Sequence, residues 1–184
     1  MQRQDMNMLD KFTTDFVEVI ERFVEYIIVS GFVAISHGRS RGTEDVDVIV
    51  RRMPEDKLNE MHMALDAAGF ECLQSEDAHE TYSYLISNES ARYVRKGKML
   101  PQIELKFSKD ALDEYQLDKK TKLPLTGLDF WFSTVETNIA FKEELLKSEK
   151  DMDDAKHLRT VYAGKLDEKE IMKVKTMIRR FRLS

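Results

Sequence analysis

Cysteine, proline, tryptophan and long apolar runs are all scarce in this 184-residue sequence. It contains one cysteine, Cys72, with three prolines and one tryptophan. A single cysteine excludes an intramolecular disulfide framework and fits a reducing compartment. No apolar run reaches the roughly 20 residues of a membrane span, and residues 1–12 lack the apolar core of a signal peptide. We therefore expect a cytoplasmic protein with no membrane partner.

Internal repeats, low-complexity segments and long Gly/Ser linkers are also absent, so the length predicts one domain or a small α/β domain with a helical extension. The net charge of −5 is unevenly distributed. Residues 165–184 hold seven Lys or Arg and three acids, which leaves −9 for the rest of the chain. This basic end predicts either a solvated helix face or a surface that contacts phosphate or RNA.

Hydrophobic periodicity and helix-capping signals predict a mixture of helices and strands. The predicted helices are 8–25, 32–37, 54–68, 77–88, 110–117, 135–146, 148–164 and 167 onwards. The predicted strands and extended segments are 26–30, 45–51, 70–73, 93–94, 102–107, 123–125 and 128–132.

The predicted fold class is therefore α+β (α/β), with a mixed β-sheet flanked by helices and followed by a C-terminal helical bundle. We place an α/β domain at 1–133 and a helical extension packed on it at 134–184. A competing interpretation is an interaction protein whose C-terminal helix binds a partner. It predicts that the apolar stripe of this helix is exposed, a stripe made by Ile171, Val174, Ile178 and Phe181.

Residues 26–50 carry the strongest chemical signal. An apolar run ends at Ser30-Gly31, a polar basic turn follows, and a second β-branched run begins with Asp45 and Asp47. On a strand these two carboxylates project from one face, while Val46 points into the core. Adjacent carboxylates repel each other unless a cation is present. A hard divalent ion such as Mg²⁺ removes the conflict, because it prefers oxygen ligands and leaves positions for substrate phosphates.

This pattern resembles the nucleotidyltransferase superfamily of the polymerase-beta type. Its signature is an apolar residue, a glycine–serine pair or near variant, about a dozen residues, and Asp-x-Asp. Residues 34–47 are similar to the form A-x-x-x-G-R-x-R-x-T-x-D-x-D of the abortive-infection (AbiEii-like) branch and its uncharacterised archaeal and bacterial relatives. Ser30-Gly31 stands in place of the commoner Gly-Gly or Gly-Ser order.

The resemblance implies a nucleotidyltransferase-like fold and a metal site. Asp45 and Asp47 would bind Mg²⁺ or Mn²⁺, and a third carboxylate from a neighbouring strand would complete the site and accept the proton of the attacking hydroxyl. Glu104, in the alternating strand 102–107, is the candidate. Its competing interpretation is an exposed strand position paired with Lys106 or Lys98.

The connection between the two strands supplies candidate nucleotide-binding residues. Backbone N–H groups and the hydroxyl at Ser30 and Gly31 could receive phosphate oxygens. The guanidinium groups of Arg39 and Arg41 suit a triphosphate or the metal-binding carboxylates, although a salt bridge to Glu44 would also explain them. We treat Thr43 as a supporting residue.

A second motif of the same branch lies in residues 134–158. A helix carries Lys in the context Ile139-Ala140-Phe141-Lys142, and the next helix begins with a Lys-Asp-x-x-Asp pattern, in which Glu149 stands where the branch often has Arg. By resemblance, Lys142 would contact nucleotide phosphate, and Asp151 or Asp154 would help to hold the site. Lys142 could equally be a solvated helix residue, and Asp151 could serve only as a capping residue.

We therefore predict a metal-dependent nucleotidyltransferase that transfers a nucleoside monophosphate from a nucleoside triphosphate to a hydroxyl acceptor. RNA, protein and small-molecule acceptors all remain open, and the branch includes toxins of toxin–antitoxin pairs. The alternative is a catalytically inactive module of the same fold that binds nucleotide or RNA. A zinc site has little support, because no second histidine lies at ligand spacing from His37.

Overall fold

The computed structural model describes residues 7–184. Five strands form a mixed sheet in the order β1-β2-β5-β4-β3. They are β1 (Tyr26–Val29), β2 (Asp45–Val50), β3 (Phe70–Cys72), β4 (Ala91–Arg95) and β5 (Gln102–Phe107). Eight α-helices of the described chain are α1 (Met8–Ile20), α2 (Gly31–Ser36), α3 (Glu55–Ala67), α4 (Ala78–Ile86), α5 (Ala111–Asp118), α6 (Val135–Phe141), α7 (Glu149–Val161) and α8 (Glu168–Arg182). The predicted class, a mixed sheet with flanking helices, is confirmed.

By its internal packing the chain divides into two compact units. One contains the described residues up to Tyr26 together with Glu44–Lys109, and the other contains Ile27–Thr43 with Asp110–Ser184. The boundary predicted at residue 134 stays a prediction. Within the described residues, no helix is both long enough and apolar enough to span a membrane.

The first unit contains the parallel pair β2–β5 and the antiparallel pairs β5–β4 and β4–β3. Alternate residues of β2 and β5 are buried, because period-two side chains point to opposite faces of a sheet. The helix α1 covers this core with Phe16, whose ring lies 5.2 Å from Phe70 and 5.5 Å from Tyr93 between centroids. The sheet therefore leaves one face of β2 and β5 to polar side chains.

The second unit is mostly helical. Ile28 of β1 donates its N–H to the carbonyl of Trp131 at 2.8 Å and forms a parallel bridge with Phe132. Helix α6 packs on α7 and α8, and α7 also packs on α2. Ser148 caps α7 by accepting the N–H of Asp151 at 3.1 Å, as the sequence predicts.

Two predicted elements of this unit differ in the structure. Residues 123–125 are not extended, because Pro124–Thr126 form a 3₁₀ turn that begins with proline and ends at Gly127 with φ 70°. The helix predicted over 135–146 changes at Lys142 into a π-helical turn, Lys142–Leu146, which ends at Lys147 with φ 56°. Such turns are frequent at functional sites.

The apolar stripe of the C-terminal helix α8 packs within its own unit, apart from the half-exposed Phe181. Ile171, Val174 and Ile178 are fully buried, so the exposed apolar stripe expected of an interaction protein is wrong. Several of the basic residues form internal ion pairs, which are Lys175 with Glu143, Arg179 with Glu144, and Arg182 with Asp110 and Asp113. These pairs involve three of the seven Lys and Arg residues that the sequence could assign to RNA.

Candidate active site

Three predicted carboxylates lie on the polar face of the first unit. Asp45 and Asp47 are half-exposed on β2, while Val46 between them is fully buried. The parallel register pairs Asp47 with Glu104 and Asp45 with Gln102. Asp47 and Glu104 are therefore neighbours on one face of the sheet.

Two cations accompany this carboxylate pair. Lys106 Nζ lies 2.9 Å from Asp47 Oδ1 and 3.2 Å from Glu104 Oε2, and Arg92 Nε lies 3.4 Å from Glu104 Oε1. Burial lowers the pKa of Lys106, but Asp47 and Glu104 outweigh burial, so its pKa lies above the ordinary value. The contact between Lys106 and Glu104 agrees with the competing interpretation, in which Glu104 is a strand position paired with this lysine.

The donor chemistry at this face fits a magnesium ion bound by two carboxylates. Asp47 and Glu104 offer oxygen ligands and already contact one common cation. Magnesium commonly binds through one or two carboxylates and completes its shell with water and substrate phosphates. Among residues 7–184, no three His, Cys, Asp or Glu side chains are grouped closely enough to hold a metal ion. A site that uses Asp45, Asp47 and Glu104 together stays a prediction.

In the second unit, Ser30 holds an unusual backbone conformation. Its φ of 69° and ψ of −138° place it in a region that glycine adopts readily and other residues seldom do. Its N–H donates to Asn138 Oδ1 at 3.1 Å, and the Asn138 side-chain amide donates to the carbonyls of Ser133 and Thr134. Asn138 thus fixes Ser30, and sequence reasoning missed it because an asparagine within a helix carries no distinctive spacing.

We expect Ser30→Gly to stabilise the protein by about 1 kcal/mol, because glycine removes backbone strain of about 1–3 kcal/mol at the cost of some chain entropy. Urea unfolding of the variant and the wild type measures this difference. The matched control is Ser36→Gly at the end of α2, where the serine Oγ donates to the carbonyl of Phe32 at 2.7 Å. The control should be destabilised, and a destabilised Ser30→Gly variant would refute the assignment of strain.

Arg41 lies against Gly31 and is clamped by a buried carboxylate. Its Nε and Nη2 donate to the two oxygens of Asp154 at 3.1 and 2.9 Å. A Cβ at position 31 would clash with Nη2 of Arg41, so a larger residue there would displace this guanidinium. The expected salt bridge to Glu44 is replaced by a partner 113 residues away in sequence.

Asp154 is the centre of a cluster of three cations. It is completely buried, and it accepts from Lys142 Nζ at 3.0 Å and lies 3.4 Å from Arg39 Nε in addition to binding Arg41. Lys142 is only 1% exposed, so its interpretation as a solvated helix residue is wrong. Asp151 lies 3.5 Å from the Lys142 ammonium as well as capping α7. The nucleotide-binding roles of Lys142 and Asp154 stay predictions.

An open cleft of about 500 Å³ borders this cluster. Its walls come from the connection after α2 and from the N-terminal turn of α7, and they are Arg39, Arg41, Ser148, Glu149, Lys150 and Asp153. Pockets of roughly 300–1,000 Å³ are typical of small-molecule sites. Thr43 is half-exposed at the end of the same connection. Guanidinium groups are suited to phosphates, and the two at this cleft already pair with carboxylates of α7.

Solved structures share this fold over nearly the whole chain. The solution structure of the antibiotic-resistance factor ANT(2'')-Ia matches with a TM-score of 0.58 and 11% sequence identity. The match covers 94% of this chain and 91% of that chain. Its crystal structure with adenylyl-2''-tobramycin matches with TM-score 0.58 and 10% identity, over 97% of this chain and all of that one. An antigenic nucleotidyltransferase-like protein from Paracoccidioides brasiliensis matches with TM-score 0.53 and 16% identity, over 97% and 91%.

The chain has a nucleotidyltransferase fold. At these identities the likeness extends to the fold and no further, and the resemblance to the AbiEii-like branch stays a prediction. No protein-family model matches the sequence, and no curated protein matches it. Within the nucleotidyltransferase fold, a function can be assigned to two features. One is the carboxylate face, which carries Asp45, Asp47 and Glu104, and the other is the arginine cleft, which Arg39 and Arg41 line.

Two histidines form hydrogen bonds at the start of the segment that carries the two cleft arginines in this nucleotidyltransferase fold. His37 Nδ1 lies 2.7 Å from the carbonyl of Val33 and therefore carries a proton, while its Nε2 accepts from Tyr162 Oη at 2.8 Å. His157 Nε2 donates to the His37 carbonyl at 2.9 Å. Burial, opposed by the Val33 hydrogen bond and reinforced by His157, lowers the pKa of His37.

We expect this lowered pKa to make the protein less stable below neutral pH. The unfolded chain protonates His37 near its ordinary pKa of about 6.5, whereas the folded chain resists protonation until lower pH. The stabilisation is therefore present above about pH 6.5 and is lost as the pH falls through the folded pKa. Urea unfolding at intervals from pH 7.5 to 5.5 should show a shallower decline for His37→Gln than for the wild type.

The control for this prediction is the exposed His79. Its pKa is raised by the hydrogen bond and charge of Glu55, so it contributes stability at low pH that is lost as the pH rises. His79→Gln should therefore steepen the decline on acidification. Identical pH profiles for His37→Gln and the wild type would contradict the buried, neutral state of His37.

Proposed function

We propose that this protein is a metal-dependent nucleotidyltransferase, which moves a nucleoside monophosphate from a nucleoside triphosphate to a hydroxyl acceptor. The observation that carries the proposal is the register that sets Asp47 beside Glu104 on the same polar face as Asp45. This placement occurs in a chain whose fold neighbours are nucleotidyltransferases. Carboxylates on adjacent strands of such a sheet are suited to a divalent cation and a phosphate ester.

The carboxylates would serve the reacting end of the nucleotide. Asp45 and Asp47 would bind Mg²⁺ or Mn²⁺, with Glu104 as a further ligand that accepts the proton of the attacking hydroxyl. Bound there, the ion would neutralise charge that develops on the transferring phosphoryl group and the leaving pyrophosphate. The hydroxyl oxygen would form its bond to the α-phosphorus as the bond to pyrophosphate breaks, with the two groups in line.

The resemblance assigns phosphate contacts to residues of the second unit. Arg39 and Arg41 line the cleft and would donate to phosphate oxygens, with Ser30, Gly31 and Thr43 in the flanking backbone. Lys142 and Asp154 would act by positioning, because both are buried and Asp154 orients the Arg41 guanidinium. The direct phosphate contact that the resemblance implies for Lys142 stays a prediction.

The direct test is transfer of label from each of the four α-³²P nucleoside triphosphates. The protein is incubated with Mg²⁺, total cellular RNA and cellular protein, and label is followed in each acceptor class and in small molecules. Label in one class that requires both the protein and Mg²⁺ would support the proposal and would identify base and acceptor together. Acceptors of RNA, protein and small-molecule type, and a toxin-like role, are all compatible with the chemistry.

The alternative function is a catalytically inactive module that binds nucleotide or RNA. It is favoured by one observation, namely that a lysine ammonium already contacts both Asp47 and Glu104. Calorimetry separates the two functions. Nucleotide binding that needs no divalent metal, with no transfer to any acceptor class, would favour the module.

A further inference from the structure

A lysine lies between two of the proposed metal ligands. Lys106 Nζ is 2.9 Å from Asp47 Oδ1 and 3.2 Å from Glu104 Oε2. Asp47 and Glu104 are register partners on β2 and β5, and Lys106 follows Glu104 by two residues on the same face. A single cation therefore already contacts both carboxylates that a divalent ion would bridge.

The two cations offset the charge of the Asp47–Glu104 pair. Asp47 and Glu104 carry two negative charges, Lys106 and Arg92 carry two positive charges, and Asp45 on the same face adds one further negative charge. Arg92 faces Glu104 from β4 and contacts no oxygen of Asp47 within the described part of the chain. A divalent ion gains less Coulomb attraction from the pair while these cations remain in place. Lys106 is the cation that must leave, because its ammonium occupies the position common to both carboxylates.

We propose that Lys106 is a built-in counter-cation of the carboxylate pair, which competes with the divalent metal and so sets the affinity of the nucleotide-free protein for it. This inference rests on the proposed function for the identity of the metal ligands. Without metal, the ammonium prevents Asp47 and Glu104 from repelling each other. A metal ion then binds weakly to the free protein, and it loads mainly together with a nucleotide whose phosphates supply further oxygen ligands.

The test is binding of Mn²⁺ to the nucleotide-free protein, followed by the loss of the electron paramagnetic resonance signal of free Mn²⁺. Lys106→Met removes the charge and keeps the chain length, and we expect it to bind Mn²⁺ at least about tenfold more tightly than the wild type. Lys106→Arg keeps the charge and should remain a weak binder. Lys98→Met changes an exposed lysine outside the pair and should match the wild type.

A second pair of variants keeps the test decisive. Lys106→Gln is neutral but can still donate hydrogen bonds to the carboxylates, so it replaces Lys106→Met if circular dichroism shows that the latter does not fold. Adding Asp47→Asn to either variant should abolish the gain. Affinity equal to or below that of the wild type, or a gain that survives Asp47→Asn, would overturn the inference.

These outcomes are independent of the transfer reaction. Unchanged Mn²⁺ affinity in the Lys106 variants, with transfer intact in the wild type, would remove the counter-cation role and leave the proposed function standing. Tighter Mn²⁺ binding without transfer to any acceptor would leave the counter-cation role standing and favour the inactive module.

Discussion

Asp47→Asn should lower nucleotidyl transfer by about 10³-fold, the effect expected when a key electrostatic contribution to the transition state is removed. Asp47 is the carboxylate for which sequence and structure agree most closely. It lies in the Asp-x-Asp motif, on the polar face of β2, and it is the register partner of Glu104. An amide in its place is a weaker ligand for a hard divalent ion and supplies no charge.

The same substitution should leave the fold intact. Asp47 and Lys106 are 25% and 40% exposed in their side chains, so their ion pair contributes no more than about 1 kcal/mol. Lys106 also keeps Glu104 as a partner in the variant. Transfer is measured with an α-labelled nucleotide and stability by urea unfolding. Asp129→Asn, at a 95% exposed acid paired with Lys122, is the control that should retain full transfer. Transfer retained in Asp47→Asn would refute the metal site.

Asp154→Asn should destabilise the protein by about 3–5 kcal/mol, because it leaves buried cations without their counter-charge. The Asp154 carboxylate is completely buried between Lys142 and Arg41, whose side chains are 1% and 13% exposed. The Lys142 ammonium cannot regain water without opening the packing of α6 and α7. The decrease in the free energy of unfolding is measured by urea unfolding at a low temperature, at which the variant remains partly folded.

The adjacent residue supplies a matched control for that loss. Asp153 also pairs with an arginine, Arg39 at 3.2 Å, but its side chain is 58% exposed. Asp153→Asn should therefore cost no more than about 1 kcal/mol. Adding Lys142→Met to Asp154→Asn should recover only part of the stability, because it removes one of the cations left without a counter-charge while Arg41 stays without its carboxylate. An Asp154→Asn variant as stable as Asp153→Asn would show that Asp154 is not the hub of the cluster.

The carboxylate face was predictable from sequence because its signals are local. In β2 and β5, polar and β-branched or apolar residues alternate, and this period of two fixes which side chains share a face. Glu104 could be proposed on that basis, and so could its contact with Lys106. The start of α7 was predictable for the same reason, since Ser148, three residues before Asp151, caps the helix with its side chain.

The buried charge cluster could not be predicted, because its members are distant in sequence. Glu44 was the nearer acid for Arg41, yet the carboxylate that binds it is Asp154 of α7. A lysine in a helix usually extends into water, and only the packing around Lys142 makes it a buried residue. The positive φ of Ser30 was also hidden, because a serine gives no signal that its backbone holds a conformation typical of glycine.

The measurement that tests nucleotidyl transfer most directly is a comparison of α-³²P and γ-³²P labels in the same nucleoside triphosphate. The account predicts that the α label moves to the acceptor while the γ label leaves in pyrophosphate, and that Asp47→Asn stops both. A γ label that moves to the acceptor, or that leaves as inorganic phosphate while the α label stays on the nucleotide, would contradict nucleotidyl transfer.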